Sequence, residues 1–188
     1  PYFMTTGAPP QYLMGYIRLI HYVAAGVFVM TGLVRVYWLF AGNQFERLPA
    51  LFPVRKRDWV NLVTQVKYYL MIHPERAPHY IGHNPLQQLS YTTTYVVSIV
   101  VMLTGFAMYG QAEPGGFFYT ITQPLTLAVG GIQVVRLVHH LCVWWFIIFP
   151  IMHIYLVIRK EITERGGGLS GIVNGGHYIR ADKEYVDE

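Results

Sequence analysis

One uncharged stretch near the carboxyl end constrains the fold most strongly. Residues 137–158 read LVHHLCVWWFIIFPIMHIYLVI, twenty-two residues without a formal charge, which as a helix can cross a hydrocarbon core of about 30 Å. The stretch nevertheless contains His139, His140 and His153. Because imidazoles are costly at membrane depth and mark functional positions there, the sequence predicts a membrane helix whose histidines have a functional role.

Helical geometry separates these histidines into two groups. At about 100° per residue, His139 and His153 fall about 40° apart around the helix and roughly 21 Å apart along it. His140 points to nearly the opposite side from His153, and Pro150 makes these angles approximate because proline kinks helices. One face therefore presents two imidazoles at two depths, and His140 is not equivalent to them.

The composition also indicates an integral membrane protein. The 188 residues are 53% hydrophobic and 13% charged, whereas about a quarter of the residues in soluble domains are charged. The net charge of +4 comes from scattered residues, and without a basic stripe no nucleic-acid partner is predicted. The one cysteine, Cys142, excludes both a disulfide framework and a CxxCH site for covalent haem attachment.

Three membrane helices are predicted in one membrane domain over residues 1–188, at about residues 14–41, 89–110 and 132–159. Loop 43–88 carries six Lys and Arg residues, tail 160–188 follows Arg159, and loop 111–131 carries none. The positive-inside rule then predicts a cytoplasmic loop 43–88 and tail 160–188, and a periplasmic loop 111–131.

Residues 58–72 are predicted to form an amphipathic helix, either on the inner membrane surface or as an ordinary helix of the soluble side.

The first predicted span supplies a partner for His139. His21 and His139 each follow an arginine by three residues, Arg18 and Arg136, and on parallel helices they would lie at one depth near the outer face. A bis-histidine haem needs two imidazoles at one level, small residues around the ring and cations near its propionates. Small residues follow His21 at positions 24–26. The two arginines either pair with the propionates or extend to the lipid head groups.

His153 lies fourteen residues deeper and has no matching histidine in the predicted spans. Its ligand partner would have to come from another helix, and a segment before Pro1 is the expected place. Arg35 follows His21 by fourteen residues and would reach this inner level on the same face. There it would meet a second haem or a quinone, or else extend to the inner interface.

Five segments and a weaker sixth point to a known family. They are MGYIRLIH at 14–21, RVYWLFAGN at 35–43, GHNP at 82–85, TGFAMYG at 104–110, HIYLVIRKEI at 153–162 and, more weakly, IVNG at 172–175. In this order, over nearly the whole chain, they resemble the b-type cytochrome subunits of membrane-bound nickel-iron hydrogenases, in the wider group that includes formate dehydrogenase gamma subunits. The family often has a His and a Trp where this chain has Arg136 and Val138.

The resemblance implies an all-α transmembrane bundle of four helices, of which three are visible here and the first is missing or truncated. It implies that His21 and His139 bind an outer haem b, and that His153 pairs with a first-helix histidine at an inner haem. It also implies that electrons from the iron-sulfur small subunit of a periplasmic hydrogenase, which adjoins the large nickel-iron subunit, pass to quinone in the bacterial inner membrane. The chain would then be a non-catalytic subunit of an oxidoreductase complex.

Two other functions stay open at this point. The same cytochrome could serve another oxidoreductase, such as formate dehydrogenase, although GHNP and MGYIRLIH favour the hydrogenase group. A histidine-lined transporter or proton path without haem is the second alternative, and a visible spectrum without a b-type α-band would indicate it.

Overall fold

The structure is a computed structural model that describes residues 12–43, 47, 51–52, 56–72, 78–80, 83–164, 173 and 175. The chain divides into two units, Pro1–Gly42 and Asn43–Glu188. The first unit contains α1, and the second contains α2 to α5. The single domain predicted over residues 1–188 stays a prediction, and most of the predicted tail, including Ile172 and Asn174 of IVNG, lies outside the described residues.

Three of the helices are long and apolar enough to cross a membrane: α1 (Leu13–Ala41), α3 (Pro85–Gly110) and α5 (Ile132–Glu164). Their 29, 26 and 33 residues correspond to roughly 39 to 50 Å, more than the hydrocarbon core requires. Most of their large apolar side chains are exposed, as expected of surfaces that contact lipid. The three predicted spans and the all-α class are therefore confirmed.

Helix α3 begins four residues before the predicted span because the preceding residues form a strong start signal. The Asn84 side chain accepts a hydrogen bond from the Gln87 backbone N–H at 2.8 Å, and the Gln87 side chain accepts one from the Asn84 N–H at 2.9 Å. This capping box satisfies two backbone donors. Pro85 is buried at the start of the helix, where its missing N–H costs nothing. The GHNP segment therefore includes a helix cap.

Helix α4 (Phe117–Ala128) lies within the loop 111–131 that connects α3 to α5, where no helix was predicted. Its twelve residues are too few to span a membrane, and Pro124 interrupts its pattern. The Phe118 ring stacks on Phe106 of α3 at 5.2 Å and meets Tyr109 edge-on at 5.5 Å. These ring contacts hold α4 against the end of α3.

Two consecutive glycines connect α4 to α5. Gly130 and Gly131 have φ angles of 102° and 96°, which are strained for residues with a Cβ atom. The Gly131 N–H returns to the Thr126 carbonyl at 2.8 Å, which closes the end of α4. Helix α5 then continues through Pro150 to Glu164. Because residues 160–164 are helical, the predicted tail starts later than expected.

Helix α2 (Lys56–Tyr69) confirms the helix predicted at 58–72, although it begins and ends earlier. It ends where Met71 adopts a positive φ of 62°. Its buried residues are Gln65 and Tyr68, while the apolar side chains of Trp59 and Val63 are exposed. Gln65 and Tyr68 therefore pack inward, while the exposed residues include both apolar side chains and the cations Lys56, Arg57 and Lys67, a mixture that an interfacial helix can place at a head-group surface. Its position on the membrane surface stays a prediction.

Arg159 of α5 holds the end of α2. Its guanidinium donates to the backbone carbonyls of Tyr68, at 3.0 Å, and of Tyr69. The same group lies over the rings of both tyrosines, 5.5 and 5.8 Å from their centroids. A cation at this position satisfies the last carbonyls of α2 and opposes the negative end of its helix dipole.

Gly110→Ala should destabilise the protein, because a Cβ at this position would lie 2.7 Å from the Tyr119 backbone nitrogen. Overpacking of this kind costs about 1–3 kcal/mol. The matched control is Gly15→Ala, where a Cβ meets nothing within 4 Å and alanine favours the helix. The melting temperature in detergent should fall for the first variant only. Equal melting temperatures would show that α4 does not approach α3 this closely.

Arg159→Ala should loosen α2, because hydrogen bonds from a charged donor contribute about 1.5–3 kcal/mol. Hydrogen–deuterium exchange over residues 56–69 should accelerate by roughly fivefold or more. Lys160→Ala removes the same charge from the adjacent position and should leave this exchange rate near that of the unmodified chain. Acceleration by both variants alike would indicate a general charge effect.

Candidate functional site

His139 lies on the side of α5 that packs against α3. Its side chain is half-buried, and its Nδ1 atom lies 3.0 Å from the Thr104 hydroxyl oxygen of α3. A Cβ added to the neighbouring Gly105 would lie 3.5 Å from His139 Cε1, so the backbone of α3 passes close to the ring. Nδ1 of His139 is thereby engaged by protein, and Nε2 is the ring nitrogen that would coordinate a haem iron.

His140 has a different environment, as its position on the helix predicted. Its side chain is exposed, and its Nδ1 atom lies 2.6 Å from the Arg136 carbonyl oxygen on its own helix. The planes of the two adjacent imidazoles are inclined by 77°. His139 therefore contacts α3 and His140 does not, so the distinction between them in the sequence corresponds to two surroundings.

His153 ends a column of three rings along α5. Its ring stacks on Phe149, with centroids 5.6 Å apart and planes inclined by 22°. Phe149 stacks in turn on Trp145 at 5.5 Å and 13°. The Trp145 indole N–H donates to the Thr94 hydroxyl of α3 at 3.3 Å. The column restricts the orientation of His153 although its side chain is exposed.

A cavity of about 130 Å³ lies beside His153, between α5, the end of α2 and the start of α3. Its lining combines apolar side chains with hydroxyl, amide and ammonium groups. The polar members, apart from His153, are Tyr69, Gln87, Ser90, Tyr91 and Lys160. Apolar walls with a few polar groups are typical of small-molecule sites.

The remaining predicted site residues lie on two helices. Arg18, His21 and Arg35 are on α1, where His21 is exposed, with its ring 6.1 Å from that of Tyr22, and Arg35 is half-buried. Arg136 is exposed on α5, one turn before His140. Because α1 forms a unit of its own, the pairing of His21 with His139 stays a prediction, as do the roles of the three arginines.

The available donors suit a haem better than a bare metal ion. Among the residues that the structure describes, no group of three or more His, Cys, Asp or Glu side chains could hold a metal. A haem iron takes four nitrogens from the porphyrin and needs from the protein only axial ligands, such as the imidazole of His139. The fold is that of a multi-pass membrane protein, and its histidines are of the type that binds haem.

Comparison with known proteins agrees with this class. Residues 2–175 match the family described as prokaryotic cytochrome b561. A probable Ni/Fe-hydrogenase B-type cytochrome subunit of Azotobacter chroococcum mcd 1 is 39% identical over 94% of this chain and 74% of its own length. Proteins of the same description from Cupriavidus necator and Escherichia coli (strain K12, hydrogenase 1) are 36% and 33% identical, over 89% and 87% of this chain and 70% and 71% of their own lengths.

The chain belongs to the prokaryotic cytochrome b561 family. The family resemblance indicated by its sequence segments is therefore confirmed, as is the prediction of a multi-pass membrane protein. Membership in a cytochrome b family makes haem b its cofactor.

Three features of the site escaped sequence reasoning. Thr104 was seen only as part of TGFAMYG, Trp145 as part of an apolar run, and Arg159 as a loop charge. The sequence does contain a signal for Thr104, since a hydroxyl within an apolar span needs a hydrogen-bond partner. Its partner on another helix follows only from how α3 and α5 pack.

Proposed function

We propose that this chain is the haem b electron-transfer and membrane-anchor subunit of a membrane-bound nickel-iron hydrogenase, passing electrons from the hydrogenase to membrane quinone. The observation that carries the proposal is the pair of imidazoles at two levels of α5, His139 held against α3 and His153 at the end of a ring column. The names of relatives 31–39% identical to this chain supply the hydrogenase partner.

At the outer level, His139 and His21 would be the axial ligands of one haem b. His139 suits this role because Thr104 engages its Nδ1 atom, and Nε2 would coordinate the iron. Arg18 and Arg136 lie one helical turn before the two histidines, where their guanidinium groups would pair with propionates. Neutralising the propionates favours burial of the haem edge, because unpaired charges are costly in a membrane.

At the inner level, His153 would be one ligand of a second haem b. Its partner ligand would come from another helix. Stacking on Phe149 and Trp145 holds the imidazole in one orientation, which limits the entropy lost when it binds iron. His139 and His153 are separated by about 21 Å along α5, so the two haems would lie in succession across the membrane.

The quinone would bind near the inner level. The cavity beside His153 supports this position, because Tyr69, Tyr91 and Lys160 add hydroxyl and ammonium groups to a largely apolar lining. A quinone ring needs an apolar slot and donors for its two carbonyl oxygens. Arg35 is placed in sequence to reach the same level, and its contribution to this site is part of the proposal.

The distribution of charge supports one orientation in the bacterial inner membrane. Loop 43–88 carries six Lys and Arg residues and α5 carries Arg159 and Lys160 near its end, whereas 111–131 carries no Lys or Arg. By the positive-inside rule this pattern favours a cytoplasmic loop 43–88 and a periplasmic segment 111–131. Helix α4 then lies on the periplasmic side. We propose that the iron-sulfur small subunit contacts this side, with the large nickel-iron subunit beyond it.

The chemistry assigned to the chain is electron transfer without bond formation to a substrate. Haem b supplies an iron that cycles between two oxidation states. The chain's residues hold the ring planes, exclude water with the apolar surfaces of α3 and α5, and neutralise the propionates. Hydrogen oxidation belongs to the partner subunits, so the chain is not an enzyme by itself.

His139→Ala should remove the outer haem, because the half-buried imidazole supplies an axial ligand at the α3 interface. His140→Ala is the matched control, since its side chain is exposed and bonded to its own helix. The haem-to-protein ratio of the purified complex should fall by one for the first variant and stay unchanged for the second. Equal loss of haem in both variants would contradict the assignment of ligands by helix face.

Hydrogen gas should reduce the b-type α-band of the purified complex, whereas formate should not, because the proposed electron source is a nickel-iron hydrogenase. In the His139→Ala complex, hydrogen-dependent quinone reduction should be lost while hydrogen-dependent reduction of a soluble dye by the partner subunits persists. Reduction of the haem by formate instead would identify a different oxidoreductase. A complex without any b-type band would contradict the proposal altogether.

A further inference from the structure

We propose that Thr104 is a positioning residue for His139, holding its imidazole in the tautomer that carries the proton on Nδ1 and has Nε2 unprotonated. The inference rests on the proposed function, because it concerns His139 as a haem ligand. The observation behind it is the 3.0 Å contact between the Thr104 hydroxyl oxygen and His139 Nδ1.

The direction of this hydrogen bond follows from counting hydrogens. The Thr104 hydroxyl has a single hydrogen, and its oxygen lies 2.7 Å from the Val100 carbonyl and 3.1 Å from the Val101 carbonyl of its own helix. Carbonyl oxygens only accept, so the hydroxyl hydrogen is directed towards them. A lone pair of the hydroxyl oxygen therefore faces His139, and the Nδ1–H donates.

A second pair between the same helices shows the same arrangement without ambiguity. The Thr94 hydroxyl donates to the Ser90 carbonyl at 2.8 Å and accepts from the Trp145 indole N–H at 3.3 Å. An indole nitrogen can only donate. Threonines of α3 thus give their hydrogen to their own helix and accept one from a ring nitrogen of α5. Thr104 and His139 repeat this pattern where the ring is an imidazole.

The consequence for a haem is both geometric and electronic. A donated Nδ1–H bond fixes the ring plane and raises the basicity of the ligating Nε2. A more basic ligand stabilises the ferric state, so the hydroxyl acceptor lowers the reduction potential of the haem. The acceptor is neutral, so this effect is smaller than that of a carboxylate. Loss of the bond should shift the potential upward and leave the ring free to rotate.

The test compares Thr104→Val, which keeps the shape of the side chain without the hydroxyl, with Thr104→Ser, which keeps the hydroxyl. Thr93→Val is the control, because Thr93 is half-buried, as Thr104 is, and its hydroxyl donates to the Leu89 carbonyl of its own helix. Redox titration of the outer haem and its low-spin electron paramagnetic resonance signal are measured in the complete complex. An upward shift in potential and altered g values are expected for Thr104→Val only, with Thr104→Ser restoring both. When a hydrogen bond that supports a metal ligand is lost, the affinity of the site for its metal typically falls on the order of 10-fold or more.

A measurement without haem addresses the tautomer directly. Nitrogen-15 resonances of His139 in the haem-free chain distinguish a protonated Nδ1 from a protonated Nε2. Protonated Nδ1 is expected, and protonated Nε2 would overturn the inference even if Thr104→Val does not fold. If His139→Ala leaves the haem content unchanged, the proposed function fails. If it removes a haem while Thr104→Val leaves potential and g values unchanged, only the role of Thr104 is refuted.

Discussion

The contact between α3 and α5 is the constraint on which the second unit depends. In a bilayer the hydrophobic effect provides little attraction between helices, because lipid tails are as apolar as leucine side chains. Specific association must then come from close packing and from hydrogen bonds between the helices. Thr104 with His139 and Thr94 with Trp145 provide two such bonds. The candidate ligand of the outer haem is therefore also part of what joins the helices.

The segment TGFAMYG illustrates how closely structure and site are combined. Thr104 contacts the candidate ligand, Gly105 lets the backbone pass beside it, and Phe106 stacks on α4. Ala107 is buried, and Gly110 permits the close approach of the α4 backbone. Seven consecutive residues thus connect the candidate haem level to the turn that follows α3. A segment of this kind identifies a family because several neighbouring contacts depend on it.

The sequence predicted those parts of the fold that depend on amino-acid composition and on the helical spacing of residues. The long apolar runs defined α1, α3 and α5, and the helical spacing distinguished His139 from His140, which the structure places in different surroundings. Helix α4 was not predicted, because its twelve residues are too few for a membrane span and Pro124 lies within them. The roles of Thr104 and Arg159 could not be predicted, since each depends on which side chains of distant segments meet. The pairing of His21 with His139 depends on how the two units are arranged. The sequence indicates this pairing only through the matching depths of the two histidines in their helices.

The capping box at Asn84 sets the position of the site along α3. It fixes where α3 begins, and twenty residues of regular helix, about 30 Å, then separate Asn84 from Thr104. The vertical level of the hydroxyl is therefore set at the opposite end of the helix from the imidazole that it contacts. One residue added between them would turn Thr104 by about 100° and raise it by about 1.5 Å, carrying it away from His139. The site therefore requires a fixed number of residues between Asn84 and Thr104, in addition to the side chains that meet there.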